Sequence, residues 1–394
     1  MAAPFPLLEC AFEPVTPRDF AGCAPEGASA DAYHAFLQRL KREAVCYSAQ
    51  WELTHRCNLK CVMCYNEPLA QPELTTAECF NVLGQLAEAG VLRLILSGGE
   101  ILSRPDFFDV AKEARRHGFA LDFKTNGTLI TPPVADGIAA LAPLQVDISL
   151  LGATSKTFDA IAGVRKTFTR VIRGVTLLRE RGVRVKLNTL LMTLNNAERG
   201  RMLEIAIGFG AQYEQVLKIS PADSGGMRAA EAQLSGAQMA EALTEDNTPF
   251  APVRRTGASR SCSVGLSSCL VSPYGVVYPC VELRIPAGDL RRQSFAAVWR
   301  DAPVLRELRE RHTVARLPEC CECALLTYCE GRCAGISWKE TGDLYRGHTL
   351  ACAHAQARFR QQNPDVLCPE TPFMAVQRRG DLREKREEAL WNRS

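Results

Sequence analysis

Residues 51–64 read WELTHRCNLKCVMC. The strand-like run WELTH leads straight into Cys57, Cys61 and Cys64, so three thiols with gaps of three and two residues share one loop after one strand. A structural zinc normally takes four ligands. Three close thiolates suit three irons of a cubane and leave the fourth iron open to another ligand, a place for chemistry rather than scaffolding. The competing reading is a zinc site that borrows Cys79 or His55 as a distant fourth ligand.

Outward from this loop the chain has a clear rhythm. Strand-like runs recur between residues 48 and 221: QWELTH, LRLILSG, ALDFKTNG, LQVDISLLG, VRVKLNTLLM and YEQVLKIS. Helical segments are expected between them at Thr76–Ala89, Pro105–His117, Pro133–Leu141, Phe168–Arg181 and Ala197–Phe209. Gly90, Gly118, Gly182 and Gly210 close helices before the next strand, as C-terminal caps do. Alternating strands and helices argue for βα units around a parallel sheet, an α/β fold. Periodicity leaves open whether that sheet is doubly wound or a partial barrel. Residues 1–47 are a Pro-containing lead-in with one expected helix, Asp31–Ala44, and 222–260 a polar, Ala/Gly-rich linker with one expected helix near Ala237–Thr244. Residues 261–370 form a small cysteine-rich domain, where metal sites can staple a thin core, and 371–394 a charged tail.

Composition excludes several classes. The chain has 394 residues, 46% of them hydrophobic and 23% charged, so wholesale disorder is excluded. A net charge of +3 gives no field that favours nucleic acid or an anionic membrane. No apolar run of about 20 residues suggests a membrane span, and MAAPFPLLEC lacks the form of a secretory signal. A cytoplasmic location is therefore expected, where thiols stay reduced. The 17 cysteines are odd in number and cannot all pair as disulfides, so metal ligation is the better reading.

CNLKCVMC resembles the CxxxCxxC signature of the radical S-adenosylmethionine (SAM) enzymes. Ser97-Gly98-Gly99-Glu100, whose first glycine falls 34 residues after Cys64, is similar to that family's GGE motif at the end of the second strand. The resemblance implies a TIM-like partial (β/α)6 barrel. It also implies that the glycines let the backbone approach a ligand and that Glu100 and the strand edge accept hydrogen bonds from the methionine ammonium of SAM. By the same likeness Asn126 and Ser149 face SAM, Arg165 pairs with its carboxylate as a fork, and the backbone carbonyl of Met63 meets the adenine. Met63 stands where the family usually carries an aromatic residue.

Cys320, Cys323, Cys329 and Cys333 form CxxCxxxxxCxxxC, with Cys352 19 residues further on and Cys262, Gly275 and Cys280 upstream. This pattern resembles the SPASM extension of radical SAM enzymes. Carried over, the first auxiliary [4Fe-4S] cluster would use Cys262, Cys269, Cys280 and Cys333, and the second Cys320, Cys323, Cys329 and Cys352. The competing reading is a zinc-ribbon-like scaffold. With the SAM-site cluster this makes three [4Fe-4S] clusters. Cys10, Cys23, Cys46, Cys79, Cys321 and Cys368 are left as ordinary thiols.

The resemblance implies reductive cleavage of SAM to a 5′-deoxyadenosyl radical, hydrogen-atom abstraction, and a net two-electron oxidation with auxiliary clusters taking the outgoing electron. The expected substrate is a ribosomally made peptide or protein, and DISLLGATSKTFDAIAGV at 147–164 looks like peptide-maturase relatives. A reducing protein such as a flavodoxin or ferredoxin is an expected partner. So is a separate leader-binding protein, because residues 1–47 are too short for a recognition domain. The alternatives are a tetrapyrrole side-chain enzyme, an anaerobic sulfatase maturase, and a non-catalytic iron–sulfur protein. Asp122, Asp147 and Asp223, near strand ends, are the acidic candidates.

Overall fold

The computed structural model describes residues 30–222, 228–245, 254–329 and 332–378. Asp223 and the charged run 379–394 lie outside them. Helix α1 (Ala30–Arg42) precedes β1 (Ser48–Thr54), α2 (Thr76–Glu88), β2 (Arg93–Gly98), α3 (Phe107–Arg116), β3 (Ala120–Thr125), α4 (Pro132–Ala140) and β4 (Gln145–Ser149). Two helices follow, α5 (Ser155–Ala162) and α6 (Thr167–Arg179), then β5 (Val185–Leu190), α7 (Arg199–Gly208) and β6 (Gln212–Val216). The expected helices are present, and α5 is an addition. It is barely two turns long, capped by Thr154, which accepts from Thr157 N–H, and anchored by buried Phe158, Ile161 and Ala162.

Strands β1 to β6 are parallel and lie side by side in chain order. A doubly wound sheet needs a reversal of strand order. Without one, right-handed crossovers return on the same side each time, the helices gather on one face and the sheet curls. The fold is therefore a partial barrel. The outer strand face carries Trp51, Leu53, Leu96, Phe123, Ile148 and Leu187, all buried with helix residues such as Phe107, Val110 and Val175. The Phe107 and Phe123 rings meet edge-on at 5.4 Å. Burying each such large side chain is worth about 1.5–3 kcal/mol.

The sheet does not stop at β1. Helix α8 (Gly236–Glu245) precedes β7 (Ser268–Val271), which pairs parallel with β1; β8 (Val276–Tyr278) and β9 (Gly288–Asp289) continue the sheet antiparallel. The order is β6-β5-β4-β3-β2-β1-β7-β8-β9, with open edges at β6 and β9. Gly275, at φ +84°, makes the β7–β8 turn. The cysteine-rich region thus grows out of the barrel sheet. Helices α9 (Phe295–Asp301), α10 (Pro303–Arg311), α11 (Ala334–Thr341), α12 (Thr349–Gln362) and α13 (Pro372–Arg378) complete it. Its separate core is small, made of Val264, Leu283, Leu308, Ala334 and Leu344. In the stretch expected as linker, α8 packs on α12 and buries Met239 and Ala242. Phe373, in the stretch expected as tail, is also buried. No helix among the described residues is long and apolar enough to cross a membrane.

Candidate functional site

The three-cysteine loop leaves the C-terminal end of β1 and is held from below by α5. Lys60 N–H donates to Ala162 O and Val62 N–H to Ile161 O, both at 3.0 Å, and Leu59 is buried beneath. Gly163 ends α5 at φ +68°, where a Cβ would lie 2.5 Å from Lys60 O, so only glycine lets helix and loop meet. Cys57 and Cys64 are exposed and Cys61 half-buried. Burial, then the neighbouring Cys64 and Cys57, push the Cys61 thiol up to about 12. The three sulfurs share one patch and need a cation to ionise together. The Asn126 amide donates to Asn58 Oδ1 at 2.9 Å and lies 3.8 Å from Cys57 Sγ. Asn126 therefore sits beside the sulfurs, where a hydrogen bond tunes an iron–sulfur group.

The glycines at 98 and 99 pack tightly on the end of β1. A Cβ on Gly98 would lie 2.3 Å from Thr54 O, and one on Gly99 2.5 Å from Arg56 O and 2.7 Å from His55 O. They let the tip of β2 dock on the backbone that leads into the cysteine loop, where Gly99 N–H donates to Thr54 O and Glu100 N–H to Arg56 O. Glu100 is fully buried. Its carboxylate accepts from Thr125 Oγ1 (2.7 Å), Asn126 N–H (2.7 Å) and Leu102 N–H (3.0 Å). Burial pushes the carboxyl up against those three donors. Glu100 locks the tips of β2 and β3 together and so places Asn126. Gly99→Ala should move the loop and lower 5′-deoxyadenosine release about 100-fold, the scale of a 1 Å misplacement. An HPLC assay for the nucleoside checks this, and release near that of the unaltered chain would show that the docking does not position the loop.

The remaining expected contacts divide. Ser97 hydroxyl is engaged inside the sheet, accepting from Gln50 Nε2 at 3.0 Å and lying 3.4 Å from Trp51 O. Met63 is partly buried on the core. Ser149 ends β4, half-buried, opposite Asn188. Arg165 is exposed in the turn between α5 and α6. Asp122 lies low in β3 and takes both Arg93 Nε (2.6 Å) and an Arg93 terminal nitrogen (3.2 Å), so it is a structural ion pair rather than a strand-end acid. Asp147, in mid-β4, lies 3.5 Å from Lys186 and 3.9 Å from Lys124, and Lys186 reaches Glu214 at 2.7 Å. This ladder crosses β3 to β6 on the face opposite Phe123, Ile148 and Leu187. The inner face of the half-barrel is a trough of alternating charge.

The β1 end of that trough is closed by a residue that sequence reading missed. Arg284 forks onto Glu52, with its two terminal nitrogens at 2.9 and 2.7 Å from the carboxylate oxygens, and His55 Nε2 lies 3.1 Å from the same carboxylate. Burial raises the Glu52 carboxyl, but His55 and Arg284 outweigh it and hold it at about 2. Tyr65, next to Cys64, and Tyr278 flank the guanidinium at 5.7 and 5.6 Å. No local signal links positions this far apart in the chain.

The other cysteines form two groups. Cys320, Cys323, Cys329 and Cys352 line one cavity of about 40 Å³, walled by Leu317, Leu325, Leu326 and Phe373. Burial first, and then the other thiols, push Cys352 up to about 12 against the opposing effect of Thr371. Burial also pushes Cys320 up to about 12, with Cys329 and Cys323 adding to it, although the Arg332 guanidinium pulls it down. Cys280, also pushed up to about 12 by burial, feels Cys333 and Cys262. Cys269 is buried in β7, where its sulfur accepts from the Cys46 thiol at 3.8 Å. Among the described residues no three Cys, His, Asp or Glu side chains converge on a single ion. Four thiols that line one cavity without converging on a single point fit a polynuclear iron–sulfur group better than one tetrahedral zinc.

Comparison with known proteins agrees with this geometry. Residues 51–206 match the Radical SAM superfamily and residues 262–324 an iron-sulfur cluster-binding domain, SPASM. The chain is 30% identical over 326 residues to the AdoMet-dependent heme synthase of Methanosarcina barkeri, covering 74% of this chain and 92% of that protein. It is 31% identical over 305 residues to the mycofactocin maturase MftC of Mycobacterium tuberculosis, covering 72% and 77%. In fold it resembles Streptococcus suis SuiB bound to S-adenosylmethionine, with a TM-score of 0.63 at 18% identity over 85% of this chain and 86% of that one.

Proposed function

The chain belongs to the radical SAM superfamily, and we propose that it oxidatively modifies a ribosomally made peptide or protein in the trough of its partial barrel. The observation that carries this reading is the alternating ladder Lys124–Asp147–Lys186–Glu214 on the inner face. Mixed charges and hydrogen-bonding groups suit a polypeptide, which brings donors and acceptors at every residue. The maturase MftC among the relatives supports it.

When bound, the cluster on Cys57, Cys61 and Cys64 together with SAM supplies a radical that takes a hydrogen atom from an unactivated carbon. The chain's own residues provide position. Gly98 and Gly99 seat the loop on the β2 tip, Glu100 fixes Asn126 against Cys57, and Arg284 with Tyr65 closes the trough at β1. Two auxiliary clusters, on Cys262, Cys269, Cys280 and Cys333 and on Cys320, Cys323, Cys329 and Cys352, belong to the same proposal. So do a flavodoxin- or ferredoxin-like donor and a separate leader-binding protein.

A second reading is favoured by the 92% coverage of the heme synthase: a tetrapyrrole whose side chains are modified. One experiment separates them. Anaerobically reconstituted chain is given SAM and dithionite with either a short peptide encoded beside its own gene or a carboxylated tetrapyrrole. A mass change in the peptide, with 5′-deoxyadenosine released, is the expected result. Turnover of the tetrapyrrole alone would replace the peptide reading. Clusters without any nucleoside release would mark a non-catalytic electron carrier.

A further inference from the structure

Arg332 stands directly before Cys333 of one cysteine group and lines the cavity of the other, with Cys320, Cys323, Cys329 and Cys352. It is only 2% exposed. One terminal nitrogen donates to Ser337 Oγ at 2.7 Å and to Arg346 O at 3.0 Å; the other lies 2.7 Å from His312 Nε2. Its Nε–H is buried with no acceptor. Among the described residues no carboxylate forms an ion pair with it. His312 is itself fully buried, and burial, then Arg332 and Arg260, push it down to about 3, so the imidazole is neutral and offsets none of the charge.

A buried guanidinium without a counter-anion is strongly disfavoured. Burial disfavours the charged guanidinium, and the negative charges that oppose this come first from Cys320, then from Cys262 and Cys333, and last from Asp343. The nearest sources of negative charge are thus the cysteines on both sides of it. A polynuclear iron group held by thiolates carries net negative charge, which grows by one on each one-electron reduction.

We propose that Arg332 is the shared counter-cation of the two auxiliary cluster sites, a positioning residue that raises the reduction potential of both. This rests on the reading that both cysteine groups hold iron–sulfur clusters, and not on the identity of the substrate. A positive charge fixed between two anionic groups stabilises their reduced states more than their oxidised states. The orphaned Nε–H adds a donor for a ligand sulfur, and such bonds are among the features that set cluster potentials.

The test is an EPR-monitored redox titration of the full, anaerobically reconstituted chain. It is run in a background with Cys57, Cys61 and Cys64 replaced by alanine, so that the auxiliary signals stand alone. Arg332→Gln should shift both midpoints to more negative values at unchanged iron content, and Arg332→Lys should bring both back toward the starting values. Unmoved midpoints in a fully loaded R332Q, or movement of only one, would overturn the proposal, as would a parent chain with no iron outside the SAM-site loop. If R332Q fails to hold iron, loading by R332K supports the counter-charge, whereas failure of both assigns Arg332 a purely structural role and overturns it. Nucleoside release by the chain with its SAM-site cysteines intact reports separately on the catalytic reading.

Discussion

Replacing Cys57, Cys61 and Cys64 together by alanine is expected to abolish 5′-deoxyadenosine release and to remove about four iron atoms per chain. The loss should be complete because the nearby thiols are engaged elsewhere: Cys79 is buried under Arg104, 3.3 Å from a guanidinium nitrogen, and Cys46 contacts Cys269. The barrel should survive, since the loop is pinned by backbone bonds to Ile161 and Ala162 and by buried Leu59, none of which uses a sulfur. Far-UV circular dichroism should match the parent while the iron assay falls by one cluster. Cys321→Ser is the matched control. That thiol is exposed and donates to Pro318 O at 3.4 Å, so iron and activity should stay unchanged. Nucleoside release by the triple variant would remove the basis for the whole catalytic assignment.

Arg284→Met should have the largest effect on stability. It leaves Glu52 charged, wholly buried and held only by His55 and the distant Tyr65 hydroxyl. Breaking one side of a buried pair costs about 3–5 kcal/mol. At this chain length that lowers Tm by roughly 4–6 °C. Glu52→Gln in the same chain should recover much of the loss, because two neutral partners leave no uncompensated charge. The pH dependence has a definite sign. The folded Glu52 carboxyl lies at about 2, below its ordinary value of 4.5. Its contribution, on the order of 3 kcal/mol, is therefore fully present above the unfolded pKa and is lost as pH falls toward 2. The parent chain should lose stability across that acid window, and Glu52→Gln should flatten this part of the profile. Chemical denaturation between pH 5 and 2, with the Tm difference at neutral pH, measures both. A Tm for R284M within about 2 °C of the parent, less than the ~3 kcal/mol minimum allows, would show that the fork contributes little.

Much of the site was legible because its signals are local. The 57–64 cysteine spacing, the SGGE run and CxxCxxxxxCxxxC each lie within about one loop, and the strand and helix rhythm needs only a short window of residues. Helix α5 escaped because two turns with three buried residues leave little periodicity to read, although it supports the cysteine loop. The SGGE run was legible as a motif, but the close packing of its glycines was not. What fills the space where their Cβ atoms would stand is the backbone at Thr54, His55 and Arg56, which only the docking of β2 on β1 brings there. Asp122 looked like an acid near a strand end until the register set it opposite Ile95, within reach of Arg93.

The sequence by itself determined the parallel βα core, the three-thiol loop and the cysteines of the second half, because chain-local spacing and periodicity carry that information. Tertiary structure alone decided that Cys269 faces Cys46, that Arg284 closes on Glu52 from 232 residues away, and that Arg332 stands between two groups of thiols. These are contacts between side chains whose separation is set by strand order and by the winding of β7 onto β1. Burial then turns such meetings into energetics: a charge removed from water must find its partner wherever in the chain that partner lies.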